Sequence, residues 1–278
     1  MSTISFSKLS RAAAALAIAF ALAAAGGGTA TAAGVDEDVW PEISKDIFGT
    51  ALPVESADKV VLDAPYRAED AAIVPITMTI PADVVPRVRR LTLIVDKNPA
   101  PVVAAFEFGE AAGLGARTIS TRVRVDMYSN VRAVVELDDG SRFMATKFVK
   151  AAGGCSAPAL KDMDAALAGI GKMKLKSLPE APAASPLWRE AQVMVRHPNY
   201  SGMQMNQLTG LYIPAKYVEQ MEVRKGDALV FRMQGGISLS EDPNIRFTYA
   251  PSIAGDLTVV ARDTDGNSYT TSAPTSGS

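Results

Sequence analysis

The chain has 278 residues, with 28 basic and 30 acidic side chains, one histidine, one cysteine and a formal charge of −2. This mildly acidic balance argues against a nucleic-acid partner. A single cysteine excludes an internal disulfide, and a single histidine excludes a multi-histidine metal site.

The N-terminus reads as a cleavable secretory signal over residues 1–33. Lys8 and Arg11 form its basic start, Ala12 to Ala25 its apolar run, and Ala30-Thr31-Ala32 a small-residue cleavage site. The run is too short to span a bilayer, so no membrane span is expected and the mature chain is placed in the periplasm. Losing Lys8 and Arg11 leaves 26 basic residues against 30 acidic ones, which moves the formal charge to −4.

Val39, Ile43 and Ile47 share one face of a short helix suited to lie against a sheet. Strands are expected next, at Lys59 to Leu62, Ile76 to Ile80, Leu91 to Val95 and around Phe106 and Phe108. The clearest alternation runs from Ile119 to Met127. Ile119, Thr121, Val123, Val125 and Met127 point inward, while Ser120, Arg122, Arg124 and Asp126 make a wet outer face. Asp138-Asp139-Gly140-Ser141 joins strands Val131 to Leu137 and Arg142 to Val149 as a hairpin. Residues 34–158 are thus read as one antiparallel β-sandwich of immunoglobulin-like type.

That half ends in Gly153-Gly154-Cys155-Ser156-Ala157-Pro158. Two glycines precede the thiol and no apolar periodicity surrounds it, so Gly153 and Gly154 predict a flexible loop that leaves Cys155 exposed and mobile. Lys147, Lys150 and Lys161 either favour its thiolate or are solvated surface charges. Residues 159–186 are read as a short amphipathic helix (Ala159 to Ile170) followed by a Lys/Pro/Ala-rich linker without a consistent period.

Residues 187–273 again give strands: Ala191 to Arg196, Lys216 to Val223, Ala228 to Met233, Ile245 to Tyr249, Leu257 to Arg262 and Ser268 to Thr271. They form a second, smaller sandwich. The overall expectation is a mainly β chain of two sandwich domains joined by a linker, with short helices at the N-terminus and after the cysteine loop. Asp263-Thr264-Asp265-Gly266-Asn267 reads as a hairpin turn, because it lacks the later carboxylates of a calcium loop. Gly109 to Gly115 has no phosphate-loop Lys-Ser/Thr, and the methionines are dispersed. No metal or cofactor is expected. His197, just before Pro198, is read as structural or interfacial rather than as a base for Cys155.

His197-Pro198-Asn199-Tyr200-Ser201-Gly202, Ile213-Pro214-Ala215-Lys216-Tyr217, Gly235-Gly236-Ile237-Ser238, Asp242-Pro243-Asn244, Ala254-Gly255-Asp256 and Asp263-Thr264-Asp265-Gly266 follow in an order that resembles SoxZ. The strand followed by Gly-Gly-Cys resembles the end of SoxY, whose cysteine carries sulfur intermediates. The chain therefore resembles a fused SoxYZ-like carrier of the quinoprotein-dehydrogenase-associated type. The resemblance implies a non-catalytic protein that holds a sulfur intermediate on Cys155. Its implied partners are sulfur-oxidation enzymes such as those of thiosulfate oxidation and c-type cytochromes, or a quinoprotein dehydrogenase for which it serves as an adapter without covalent cargo. It also implies that the two domains pack together in cis. In the SoxY family the arm ends the chain as Gly-Gly-Cys-Gly-Gly. Here Ser156-Ala157-Pro158 replaces the trailing glycines and the chain continues.

Overall fold

Helix α1 (Trp40–Phe48) is the first element among the described residues. In the computed structural model, which describes residues 38–158, 164, 167–178 and 187–275, Pro41 stands in its first turn, where a missing N–H costs nothing. Trp40, Ile43, Ile47 and Phe48 pack on a small apolar cluster of Ile94, Val134 and Met144. The helix face expected from the Val39, Ile43 and Ile47 spacing therefore lies against a sheet. The Trp40 ring covers the Arg132 guanidinium at 4.0 Å. Arg132 is itself paired with Asp96 at 2.8 Å.

The first half contributes β1 (Val54–Glu55), β2 (Val61–Asp63), β3 (Val74–Ile80), β4 (Val88–Val95), β5 (Val102–Phe108), β6 (Arg117–Val123), β7 (Ser129–Leu137) and β8 (Arg142–Val149). The second contributes β9 (Met173–Ser177), β10 (Arg189–Val195), β11 (Val218–Lys225), β12 (Ala228–Gly235), β13 (Asn244–Tyr249), β14 (Leu257–Asp263) and β15 (Ser268–Ala273). Strands β3 and β6 bury alternate residues, as period-two patterning requires. The mainly β, sandwich-type class expected from the alternation is the one observed.

Two elements depart from the sequence reading. Residues 173–177, read as linker, form β9, in which Met173, Leu175 and Ser177 are half-buried and alternate with exposed Lys174 and Lys176. The run is short and lysine-rich, so its period was hidden by composition. Strand β6 stops at Val123, four residues before the end of its alternating run. The expected leader and most of the residues expected to form the Ala159 to Ile170 helix lie outside the described residues.

The two halves share their sheets. One nine-stranded sheet runs β1-β8-β7-β4-β5-β12-β11-β14-β15, and a six-stranded sheet runs β2-β3-β6-β13-β10-β9. Strand β5 pairs antiparallel with β12 over Phe108↔Phe231 to Ala104↔Gly235, and β6 pairs with β13 at Ser120↔Arg246 and Ile119↔Phe247. A single apolar core lies between the sheets and draws on both halves. At the junction Phe106 meets Phe231 at 5.7 Å, and Phe231 meets Phe247 at 5.2 Å, both edge-on. Such pairs add about 0.5–1.5 kcal/mol beyond the area they bury. From Asp38 onward the chain is accordingly one compact unit.

Candidate functional site

Past β8 the chain leaves the sheet edge but does not leave the body. Gly153 turns it back with φ +78°, a conformation that favours glycine. Its N–H donates to the Asp126 carbonyl at 2.8 Å, and the Gly154 N–H donates to the Val125 carbonyl at 3.0 Å. Gly154 lies so close to its neighbours that a Cβ there would fall 2.1 Å from the Ala71 carbonyl oxygen and 2.7 Å from that of Val125. The diglycine thus supplies one left-handed turn and one close backbone approach. The expectation of a flexible, exposed loop at Gly153 and Gly154 is corrected by this docking. Cys155 is a free cysteine with 0% of its surface exposed.

Contacts from both halves hold the loop. From the first half, Asp126 Oδ1 accepts the Cys155 N–H at 3.1 Å. From the second, the Ser201 hydroxyl donates to the Cys155 carbonyl at 2.5 Å, and Gln204 Nε2 donates to the Ala157 carbonyl at 3.1 Å. Asn199 anchors the segment that presents Ser201 and Gln204. It is fully buried at φ 45°, its Oδ1 accepts the Val218 N–H at 3.0 Å, and its Nδ2 donates to the Leu239 carbonyl at 3.3 Å. Sequence reading could not foresee this burial, because the covering groups arrive from 46 residues downstream.

Burial, followed by the nearby Asp126 charge, pushes the Cys155 thiol up to about 12, while Arg124 acts in the opposite direction. At pH 7 only about one closed thiol in 10⁵ would be ionised, against roughly 3% for an ordinary cysteine. In this conformation the thiol is chemically quiet. A reagent can meet it only after its cover has opened.

Of the two readings of the nearby lysines, the structure favours surface charges for Lys147 and Lys150. Lys147 lies exposed on β8, the Lys150 ammonium sits 4.9 Å from the Tyr66 ring centroid, and Lys161 lies outside the described residues. The cation acting on Cys155 is Arg124, assigned from sequence to a wet face yet only 2% exposed. Its N–H donates to the Ser238 carbonyl at 2.8 Å, so the second half covers the face that alternation pointed at solvent. Burial lowers the Arg124 pKa from its ordinary value.

His197 is buried away from any such chemistry. Its Nδ1 accepts the Asn199 N–H at 3.0 Å, and its Nε2 faces Asp263 Oδ2 at 3.5 Å. Burial lowers its pKa, opposed by Asp263. No hydrogen bond joins it to Cys155 among the described residues, so the structure does not assemble the two as base and nucleophile. Asp263 closes its hairpin by accepting the Asp265 and Asn267 N–H groups at 3.0 and 2.9 Å. Among the described residues no cluster of three or more His, Cys, Asp or Glu could hold a metal ion. No helix among them is long and apolar enough to cross a membrane.

Two family models match the chain. The model for sulfur oxidation protein SoxY matches residues 44–155, and the model for sulphur oxidation protein SoxZ matches residues 178–274. The SoxY match ends on Cys155 itself. No curated protein matches. Among solved structures, the sulfur carrier protein SoxY from Chlorobium limicola f thiosulfatophilum is 25% identical, covers 41% of this chain and 91% of its own, and superposes with a TM-score of 0.33.

Proposed function

The chain is a fused SoxYZ-like protein, a SoxY domain joined to a SoxZ domain, and from that premise we propose that it is a periplasmic, non-catalytic carrier holding a sulfur intermediate covalently on Cys155. One observation carries the reading. The only cysteine is the last residue of the SoxY match, and although buried it belongs to neither apolar cluster. Hydrogen bonds to the loop backbone hold it in place. A loop closed in this way can be released without opening the core between the sheets. The closed form stores the thiol, and release presents it to sulfur-oxidation enzymes.

The test is the intact mass of the mature protein recovered from thiosulfate-oxidising cells. Wild type should carry added sulfane or thiosulfonate mass, and Cys155→Ser should carry none. An unmodified wild type, or equal additions on both, would overturn the reading. The N-terminus of the recovered protein should begin near residue 34, as export with cleavage of residues 1–33 requires.

Burial of the thiol supports a second reading. An adapter for a quinoprotein dehydrogenase would keep Cys155 closed and carry no cargo. The same mass measurement separates the two, because an adapter shows no cysteine-dependent addition.

A further inference from the structure

Arg124 is one of the largest fully buried side chains in the protein, and its charge has no ion-pair partner among the described residues. Its Nη2 donates to the Asn199 carbonyl at 3.0 Å and its Nη1 reaches the Gly154 carbonyl at 3.4 Å. Both acceptors are neutral, and Nε has no partner. Asp70 and Glu241 act on it through space, raising its pKa against the effect of burial. Of the other buried arginines, Arg132 is held by Asp96 through both Nε and Nη2, while Arg117 donates to the Gly113 carbonyl and lies over the Phe108 ring. Burying a charge without an ion-pair partner is costly. The group beside Arg124 is the one thiol in the chain, one residue from the carbonyl it contacts.

We propose that Arg124 is the counter-charge for an anionic group carried on Cys155, so that an anionic cargo strengthens the closed loop and a neutral one does not. The inference rests on the carrier reading above. In the reduced closed state the thiol is neutral and gives the guanidinium no ion pair. A terminal sulfonate on Cys155 would supply the missing charge in a site with little water, where electrostatic interactions are strongest. Asp126, which accepts the Cys155 N–H, opposes any anion there. Arg124 and Asp126 therefore set the preference with opposite signs.

The experiment compares two cargoes on the full mature chain. Tetrathionate supplies the anion. The Cys155 thiolate attacks a central sulfur, the S–S bond breaks, Cys–S–S–SO₃⁻ forms and thiosulfate leaves. Methyl methanethiosulfonate supplies the neutral case. The thiolate takes the methylthio sulfur, Cys–S–S–CH₃ forms and methanesulfinate leaves. Both are exchanges at sulfur that need no further oxidant. Loading is done natively at alkaline pH, or in denaturant followed by refolding, and is verified by mass. The readout is the melting temperature of each adduct relative to the same protein reduced, so a variant's own loss of stability cancels.

In wild type the anionic adduct should melt about 2–4 °C above the methyl adduct. Arg124→Gln should abolish that gap, Arg124→Lys should keep part of it, and Asp126→Asn should widen it. Equal melting of the two adducts in wild type, or a full gap in Arg124→Gln, overturns the assignment. Should Arg124→Gln fail to fold, a gap that does not widen in Asp126→Asn overturns it equally. If protein from cells carries no cysteine-bound sulfur, the carrier reading fails whatever the adducts do. If it carries sulfur and the melts ignore charge, only the role of Arg124 fails.

Discussion

Replacing Ser201 by alanine isolates one contact by which the second half closes the loop. The hydroxyl donates to the Cys155 carbonyl at 2.5 Å and also accepts the Met203 N–H at 3.2 Å. Removing it leaves a buried carbonyl without its donor, a loss of about 1–3 kcal/mol. Opening the loop returns that carbonyl to water, so nearly all of this loss appears as easier opening. The open population should rise about 5- to 150-fold. Native labelling of reduced protein with a thiol reagent, followed by intact mass, reads that population directly when opening precedes reaction. Ser156→Ala is the control, because the exposed Ser156 hydroxyl donates only to the Gly153 carbonyl at 3.4 Å within the same loop. Its labelling rate should match wild type. A Ser201→Ala rate within twofold of wild type, with the fold intact by circular dichroism, would show that the Ser201 hydroxyl does not hold the thiol closed.

Other outcomes follow from the same geometry. Gly154→Ala should expose Cys155 more strongly than Gly153→Ala: its new Cβ meets two backbone carbonyls, whereas the Gly153 position is sterically open and adds only the cost of φ +78°. Thiol labelling of the two variants ranks them. Below about pH 8.5 the neutral thiol favours closure fully. Above it an open thiol ionises while the closed one stays protonated up to about 12, so closure is progressively lost across that window. The native labelling rate should thus keep rising tenfold per pH unit beyond the point where a small peptide thiol levels off. A plateau near pH 8.5 would refute this. Phe231→Ala should cost about 3–5 kcal/mol in denaturant unfolding, because it empties the aromatic contact between Phe106 and Phe247. A loss under 1 kcal/mol would mean that the junction is not a packed core. Cleavage at a protease site engineered between Leu178 and Leu187 should leave two fragments that co-elute, since β5–β12 and β6–β13 pairing crosses the cut. Separation on gel filtration would contradict the shared sheets.

Period-two alternation made most strands legible, and the Val39, Ile43 and Ile47 spacing placed α1 against a sheet. Two kinds of information were not legible. One is edge pairing between halves. Nothing in the composition of Phe106 or Met233 indicates that β5 hydrogen-bonds to β12 rather than facing solvent. The other is burial imposed from a distance. Arg124 alternates like a surface residue, and Cys155 sits in a glycine-rich, apolar-poor loop, yet both are covered by the segment around Asn199 and Ser201. Alternation reports which residues share a strand face, and it is silent on what later chain lays over that face. Lys147 and Lys150 lie closer in sequence to Cys155 than Arg124 does, which is why they stood in for the cation that the fold brings to the thiol.

The most direct test of a closed carrier loop on an intact body is the denaturant dependence of Cys155 labelling well below the unfolding transition. Slopes report the surface exposed on opening. A loop that opens locally should label at a rate nearly independent of urea until the main transition approaches, and its apparent opening free energy should lie well below that of global unfolding measured by circular dichroism. If labelling instead follows the full unfolding slope from zero denaturant, Cys155 reacts only when the sandwich comes apart. It is then a core residue, and the carrier account is contradicted.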